Sequence, residues 1–172
     1  MSRTDLWVRR GHTIAFALLI LFSIVEGAIT TWITVQYGKN HNYDSISIRD
    51  RVRLLVVASW WTVFFGFIYL LLFLHSARTG SDLTSVLSHL IFLGLTWILW
   101  TAGAASLTSS LGGGINCSKV DRNVVYCNQL NAAEGFAWVD WLLTTFMLCV
   151  VLFCGVRSFR RGDGIRGQLI VV

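Results

Sequence analysis

A chain of 172 residues that is 55% hydrophobic, 13% aromatic and only 13% charged, with mean hydropathy +0.63, lies outside the composition of soluble domains, where roughly a quarter of residues are charged. The net charge of +5 does not point to nucleic acid, because the 14 Lys and Arg residues fall almost wholly between or outside the apolar runs, where basic side chains anchor helix ends and meet anionic headgroups. The chain belongs in lipid, and its length leaves no room for a catalytic soluble domain of ~100 to 150 residues beside a membrane domain.

Residues 1–11 form a short N-terminal tail in which Arg3, Arg9 and Arg10 precede the first apolar run, from about His12 to Tyr37. That run exceeds the ~7 to 15 apolar residues of a cleaved signal peptide. It reads as a transmembrane helix and signal anchor, since ~20 apolar residues cross the hydrocarbon core. Three further runs, at about 52–75, 83–108 and 131–156, predict three further spanning helices, and residues 157–172 form a basic C-terminal tail. Four spans place both termini on one side. Cytosolic termini put eight basic residues inside (Arg3, Arg9, Arg10, Arg78, Arg157, Arg160, Arg161, Arg166) and six outside (Lys39, Arg49, Arg51, Arg53, Lys119, Arg122), and the N-terminal cluster weighs most in orientation. The chain contains no proline, so straight helices are expected, without the broken segments that build many transporter sites.

The links between the runs are unequal. Ser76 to Asp82 (SARTGSD) reads as a tight inner turn broken at Gly80. The outer loops, about 38–51 and 109–130, are longer; Ser47 to Arg53 (SISIRDR) is expected to form a short interfacial helix or to extend the second span outward. The second outer loop carries Cys117 and Cys127. A structural zinc site needs four ligands at short spacing, and this loop offers two cysteines without histidine. A disulfide is the better reading, which sets the loop on the oxidising side of the membrane and restrains it by ~3 kcal/mol in the chain-entropy description. Asn116-Cys117-Ser118 matches the glycosylation pattern, though a bridged cysteine close to the membrane disfavours occupancy.

Ionisable residues inside apolar runs are costly and each requires an account. Glu26 and Asp140 lie at the same expected depth, ~14 Å below the outer helix ends at ~1.5 Å per residue, so the first and fourth spans can bring their carboxyls together. Such a pair is either a proton or cation site or a packing element hydrogen-bonded to hydroxyl and indole groups. Glu134, near the outer end of the fourth span, is level with Arg51 and Arg53, and an interfacial ion pair is expected there. Trp60, Trp61, Trp97, Trp100, Trp138 and Trp141 fall at similar depth in the outer half, either filling the bundle or presenting a flat surface to lipid, for instance a sterol. Ser23 with Gly27, and Ala102 with Ser106, have the small-xxx-small spacing of close helix contacts, within the bundle or between protomers. His12, His75 and His89 read as polar anchors near the inner ends. Cys154, nearest the cytosol, is a candidate for palmitoylation.

No serine elbow, phosphate loop, HExxH motif, metal constellation or cofactor motif is present, and the chain reads as non-enzymatic. Four spans with short tails, a tight inner turn and a cysteine-bearing second outer loop resemble the MARVEL-domain tetraspan proteins, and in detail their fungal branch. The segments that carry the likeness are Ser47 to Arg53, Ser59-Trp60-Trp61, Trp97 to Ala105 (WILWTAGAA), Cys117 with Tyr126-Cys127-Asn128, and Ala132 to Trp138 (AAEGFAW). The resemblance implies a left-handed four-helix bundle with cytosolic termini, in plasma membrane or secretory vesicles. It also implies roles in membrane apposition, vesicle traffic and specialised lipid regions, often through self-association. It supplies no catalytic residue.

The expected function is therefore organisation of lipid and protein in the membrane plane, as a homo-oligomer contacting sterol or anionic lipid. Arg157, Arg160, Arg161 and Arg166 would contact acidic headgroups. Two other readings stay open: a channel or pore subunit lined by Glu26 and Asp140, and an accessory subunit of a larger membrane complex.

Overall fold

The computed structural model describes residues 3–79, 86–114, 117 and 124–160. Asn116, Arg161, Arg166 and the 80–85 turn lie outside the described residues, as do the side chains of Arg157 and Arg160. The chain forms four helices, α1 (Arg3–Asn40), α2 (Ile46–Thr79), α3 (Val86–Leu111) and α4 (Cys127–Arg160). Each contains a stretch long and apolar enough to cross a membrane. At ~1.5 Å per residue the 38 residues of α1 extend well beyond a hydrocarbon core of ~30 Å, so helix ends project into the headgroup layer.

Three of the four helices run past both expected boundaries, and the reasons are local. The Ser45 hydroxyl accepts the Ile48 N–H at 3.2 Å, an N-cap that starts α2 early and draws Ser47 to Arg53 into it. The first outer loop is thus residues 41–45, not 38–51. Its first residue, His41, takes φ 51° and returns its N–H to the Tyr37 carbonyl at 3.1 Å. The far end of α3 closes on the triple glycine: Gly112 and Gly113, at φ 76° and 92°, both donate to the Thr108 carbonyl. That left-handed geometry is open to glycine at little cost.

Consecutive helices pack on one another, and α1 closes the ring against α4. Consecutive helices pack as antiparallel neighbours, which puts the start of α1 and the end of α4 at the end opposite the Cys117–Cys127 disulfide. That bond joins the α3–α4 loop to the first residue of α4, with the two Cα atoms 5.9 Å apart. Close approach depends on small residues. A Cβ on Gly103 would lie 2.6 Å from Leu55 Cδ2, and one on Gly27 would lie 3.2 Å from Ser59 Cβ. The Ser23 and Gly27 face is therefore internal to the bundle.

The interior is divided in depth. An apolar cluster toward the disulfide end contains Ile33, Val52, Leu55, Ala58, Trp100, Leu107 and Ala137. A second, toward the termini, contains Phe16, Leu19, Phe92, Leu93, Met147 and Val151. Large apolar side chains cover the outside of every helix, among them Ile14, Leu21, Val57, Phe64, Ile91, Ile98, Leu142 and Phe146.

Candidate functional site

Between the two apolar clusters lies a layer of buried polar residues drawn from all four helices. Along α1, Ser23, Glu26 and Thr30 come after Leu19 and before Ile33; along α4, Asp140 and Thr144 come between Ala137 and Met147. Ser59 and Thr62 of α2 and Thr96 of α3 complete it, and every one of these residues is fully buried.

The hydroxyls in this layer are mostly committed to their own helices. Thr30 donates to Glu26 O, Ser59 to Leu55 O, Thr62 to Ala58 O, Thr96 to Phe92 O and Thr144 to Asp140 O, at 2.6–2.8 Å. A hydroxyl that gives its proton to a carbonyl four residues back keeps its lone pairs. The acids fare differently. Neither carboxylate oxygen of Glu26 or of Asp140, nor the Ser23 hydroxyl, has a hydrogen-bond partner. Glu26 lies within electrostatic reach of Asp140, and Ser23 faces the Asp140 carboxyl without reaching hydrogen-bond geometry. The first and fourth helices thus bring the two acids together. Each lies farther from the outer end of its helix than the expected spans implied, because α1 continues to Asn40 and α4 begins at Cys127.

All six tryptophans of interest are used for helix pairing. Trp60 donates to Thr31 at 3.1 Å, Trp61 to Thr96 at 3.3 Å and Trp97 to Thr145 at 2.9 Å. Trp100 donates to Thr62 at 3.0 Å, Trp138 to Thr108 at 3.0 Å and Trp141 to Thr101 at 2.8 Å. Each bond runs from an indole N–H to a threonine on a neighbouring helix. Between α3 and α4 two of them close a circuit: Trp97 binds Thr145, which donates to Trp141 O, and Trp141 binds Thr101, which donates to Trp97 O. An indole N–H in a lipid-facing bundle has no water to bond, so an internal acceptor is required. Trp60 alone stays largely exposed, at 47%, while Trp100 is fully buried.

The expected ion pair does not form. Glu134 instead accepts the Thr108 hydroxyl at 2.7 Å, Arg51 donates to the Ser106 carbonyl at 2.7 Å, and Arg53 lies 3.7 Å from Asp50. Both Glu134 and Arg51 fasten to α3, which stands between α2 and α4 in the ring, and that explains the correction. His12 and His89, near the inner ends of α1 and α3, are both buried, with ring centroids 5.5 Å apart, among Phe16, Tyr69 and Phe92. The His75 side chain lies outside the described residues. Among the described residues no group of three His, Cys, Asp or Glu could hold a metal ion.

A family model described as MARVEL, membrane-associating domain, matches residues 3–150. The chain belongs to the MARVEL family. Comparison with curated proteins and with solved structures gave no significant match. This MARVEL chain is an integral, multi-pass membrane protein, and the match includes both acids, all six tryptophans and the disulfide.

At the disulfide end the MARVEL bundle is capped by aromatic and amide groups. Tyr126, at φ 60°, accepts on its phenolic oxygen from Asn40 and Asn42 at 3.2 and 3.3 Å and packs against Trp32 and Tyr37. Asp44 accepts the Val125 N–H at 3.2 Å. These contacts tie the first loop to the segment that the disulfide holds.

The acids, the tryptophans and the cysteines were each visible in the sequence, but Ser23 drew notice only as a small residue. The threonine acceptors were missed. A signal for them exists: Trp61-Thr62, Thr96-Trp97, Trp100-Thr101 and Trp141 with Thr145 repeat across three helices.

Proposed function

We propose that this MARVEL protein is a non-enzymatic organiser of the membrane plane, acting through lipid contact and self-association. The observation that carries the reading is the direction of its polarity. Its intramembrane hydroxyls, indoles and acids are largely turned inward, while apolar side chains cover the outside of each helix. Such a surface offers contact to acyl chains, sterols or other transmembrane helices rather than to a soluble substrate.

Small positions on that surface favour helix–helix contact. Ala102, Ala105 and Gly135 are exposed, and a Cβ on Gly135 would meet nothing within 4 Å. With cytosolic termini, Arg157, Arg160, Arg161 and Arg166 gain up to ~1 kcal/mol each at an acidic leaflet, and the disulfide end faces the vesicle lumen or cell exterior. A fungal-type MARVEL protein of plasma membrane or secretory vesicles is consistent with this arrangement. A water path through one bundle is disfavoured, because apolar clusters lie on both sides of the acids.

The test is extraction in native-lipid nanodiscs, with particle mass from mass photometry, electron-microscopy class averages and identification of the bound lipid. A homo-oligomer enriched in sterol or anionic lipid is expected. A monomer, or a one-to-one complex with another protein, refutes self-assembly and favours the accessory-subunit reading; a central opening favours a pore.

A further inference from the structure

We propose that Ser23, Glu26 and Asp140 form a binding site for one small metal cation that prefers oxygen ligands, held between α1 and α4 at the polar layer. Five oxygen atoms carry the argument: both carboxylate oxygens of Glu26, both of Asp140, and Ser23 Oγ. All are buried and none has a hydrogen-bond partner. Buried polar groups in proteins are ordinarily satisfied, and one left alone is costly. Ser23 and Glu26 lie one turn apart on the buried face of α1, which packs against α4, and from α4 Asp140 faces the Ser23 hydroxyl and lies within electrostatic reach of Glu26, so the five orphans fall in one layer.

The surroundings restrict what can satisfy them. The hydroxyls of Thr30, Ser59, Thr62, Thr96 and Thr144 have given their protons to backbone carbonyls, so they donate nothing to a carboxylate. No Lys or Arg occurs from Gly11 to Tyr37, Leu54 to His75, Val86 to Leu111 or Asn128 to Val156, and the buried His12 and His89 pack with Phe16 in the cluster toward the termini, so no lysine or arginine within the spans balances the pair. Neutralisation must therefore come from protons or from a cation taken up from outside, and only a cation also occupies all five oxygens.

The donors define the ligand class. Carboxylate and hydroxyl oxygens are hard ligands suited to alkali and alkaline-earth ions, whereas zinc and copper favour nitrogen and sulfur. Two carboxylates carry two negative charges, which one divalent ion neutralises fully in a low-dielectric layer. Bidentate carboxylates and a serine hydroxyl supply up to five oxygens, with water or a threonine lone pair completing the shell of six to eight that a calcium-sized ion takes. The site is independent of whether the protein self-associates.

The experiment uses the purified full chain in lipid nanodiscs, stripped with chelator and titrated separately with calcium, magnesium and sodium chloride. Binding is read by calorimetry and unfolding temperature by circular dichroism. One equivalent of a cation is expected to bind saturably and raise the unfolding temperature. Asp140→Asn should abolish this response. Ser23→Ala should weaken it by at least the ~10 to 100-fold typical of losing a group that supports a metal site. Saturation by sodium alone supports the site as monovalent. If Asp140→Asn fails to fold, as judged by helical content, Ser23→Ala carries the test, because it removes a single hydroxyl. No saturable binding of any of the three up to about 10 mM, above the weak end of alkaline-earth sites, overturns the proposal and leaves the acids holding protons. Binding unchanged in folded variants overturns it equally.

Discussion

Replacing Thr62 by valine tests the tryptophan–threonine bonds at their most buried example. Valine keeps the shape of threonine and removes only the hydroxyl, while the Ala58 carbonyl that it occupied keeps its helical N–H partner. Trp100 has no exposed surface, so its indole N–H, now 3.0 Å from Thr62 Oγ1, is left without an acceptor. An unpaired buried donor costs ~1 to 3 kcal/mol, but interhelical hydrogen bonds in membranes average ~0.6 and reach ~1.7 kcal/mol. A loss of about 1 kcal/mol is therefore expected for Thr62→Val, at the overlap of those ranges. Trp100→Phe should cost more, since it also opens space in the disulfide-end cluster. The double variant isolates the bond: a coupling energy of about 1 kcal/mol is expected, measured by equilibrium unfolding in mixed micelles with far-UV circular dichroism. Additivity within ~0.3 to 0.5 kcal/mol, the usual result for independent sites, would refute the claim that this bond holds α3 to α2.

Gly103→Ala should destabilise the bundle by ~1 to 3 kcal/mol as an overpacking change, because its Cβ would lie 2.6 Å from Leu55 Cδ2; a neutral result in the same unfolding assay would mean that α2 and α3 separate freely. Arg51→Ala and Glu134→Ala should each lower stability, yet their double-mutant coupling should stay within the ~0.3 to 0.5 kcal/mol of independent sites, since each bonds α3 and not the other. Of the four cysteines, Cys149 and Cys154 lie outside the disulfide, so alkylation of the denatured chain should label those two before reduction and all four after it, as read by intact mass. Cys117→Ser with Cys127→Ser should reduce stability by ~2 to 3 kcal/mol, the range for a bridge closing a short loop.

Much of this was legible in the sequence. Apolar runs of membrane length fixed the number of helices, and Glu26 and Asp140 could be paired across α1 and α4 from depth alone. Helix ends were less legible, because they depend on single backbone and side-chain bonds, such as the Ser45 cap and the glycines after α3. The Glu134 expectation failed because depth along the membrane normal says nothing about azimuth: Arg51 and Glu134 share a level but sit on helices separated by α3. The same blindness hid the threonine acceptors, whose role appears only when facing helices are known. Position near a helix end marks His12 and His89 as polar anchors but does not say which way a ring turns, and both turn inward.

The tryptophan bonds are unevenly shared among the seams of the ring. Trp60 links α2 to α1, Trp61 and Trp100 link α3 to α2, and Trp97, Trp138 and Trp141 link α4 to α3; none of these six joins α4 back to α1. A chain emerging from the ribosome meets its partners in that same order. Each new helix can therefore dock on the one made just before it, and the acids come face to face only when the last helix swings round to the first. Closure of that seam is the step of biogenesis at which the whole bundle is present for the first time, and the segment held by the disulfide, with Tyr126 bound to Asn40 and Asn42, is placed to latch it from the end.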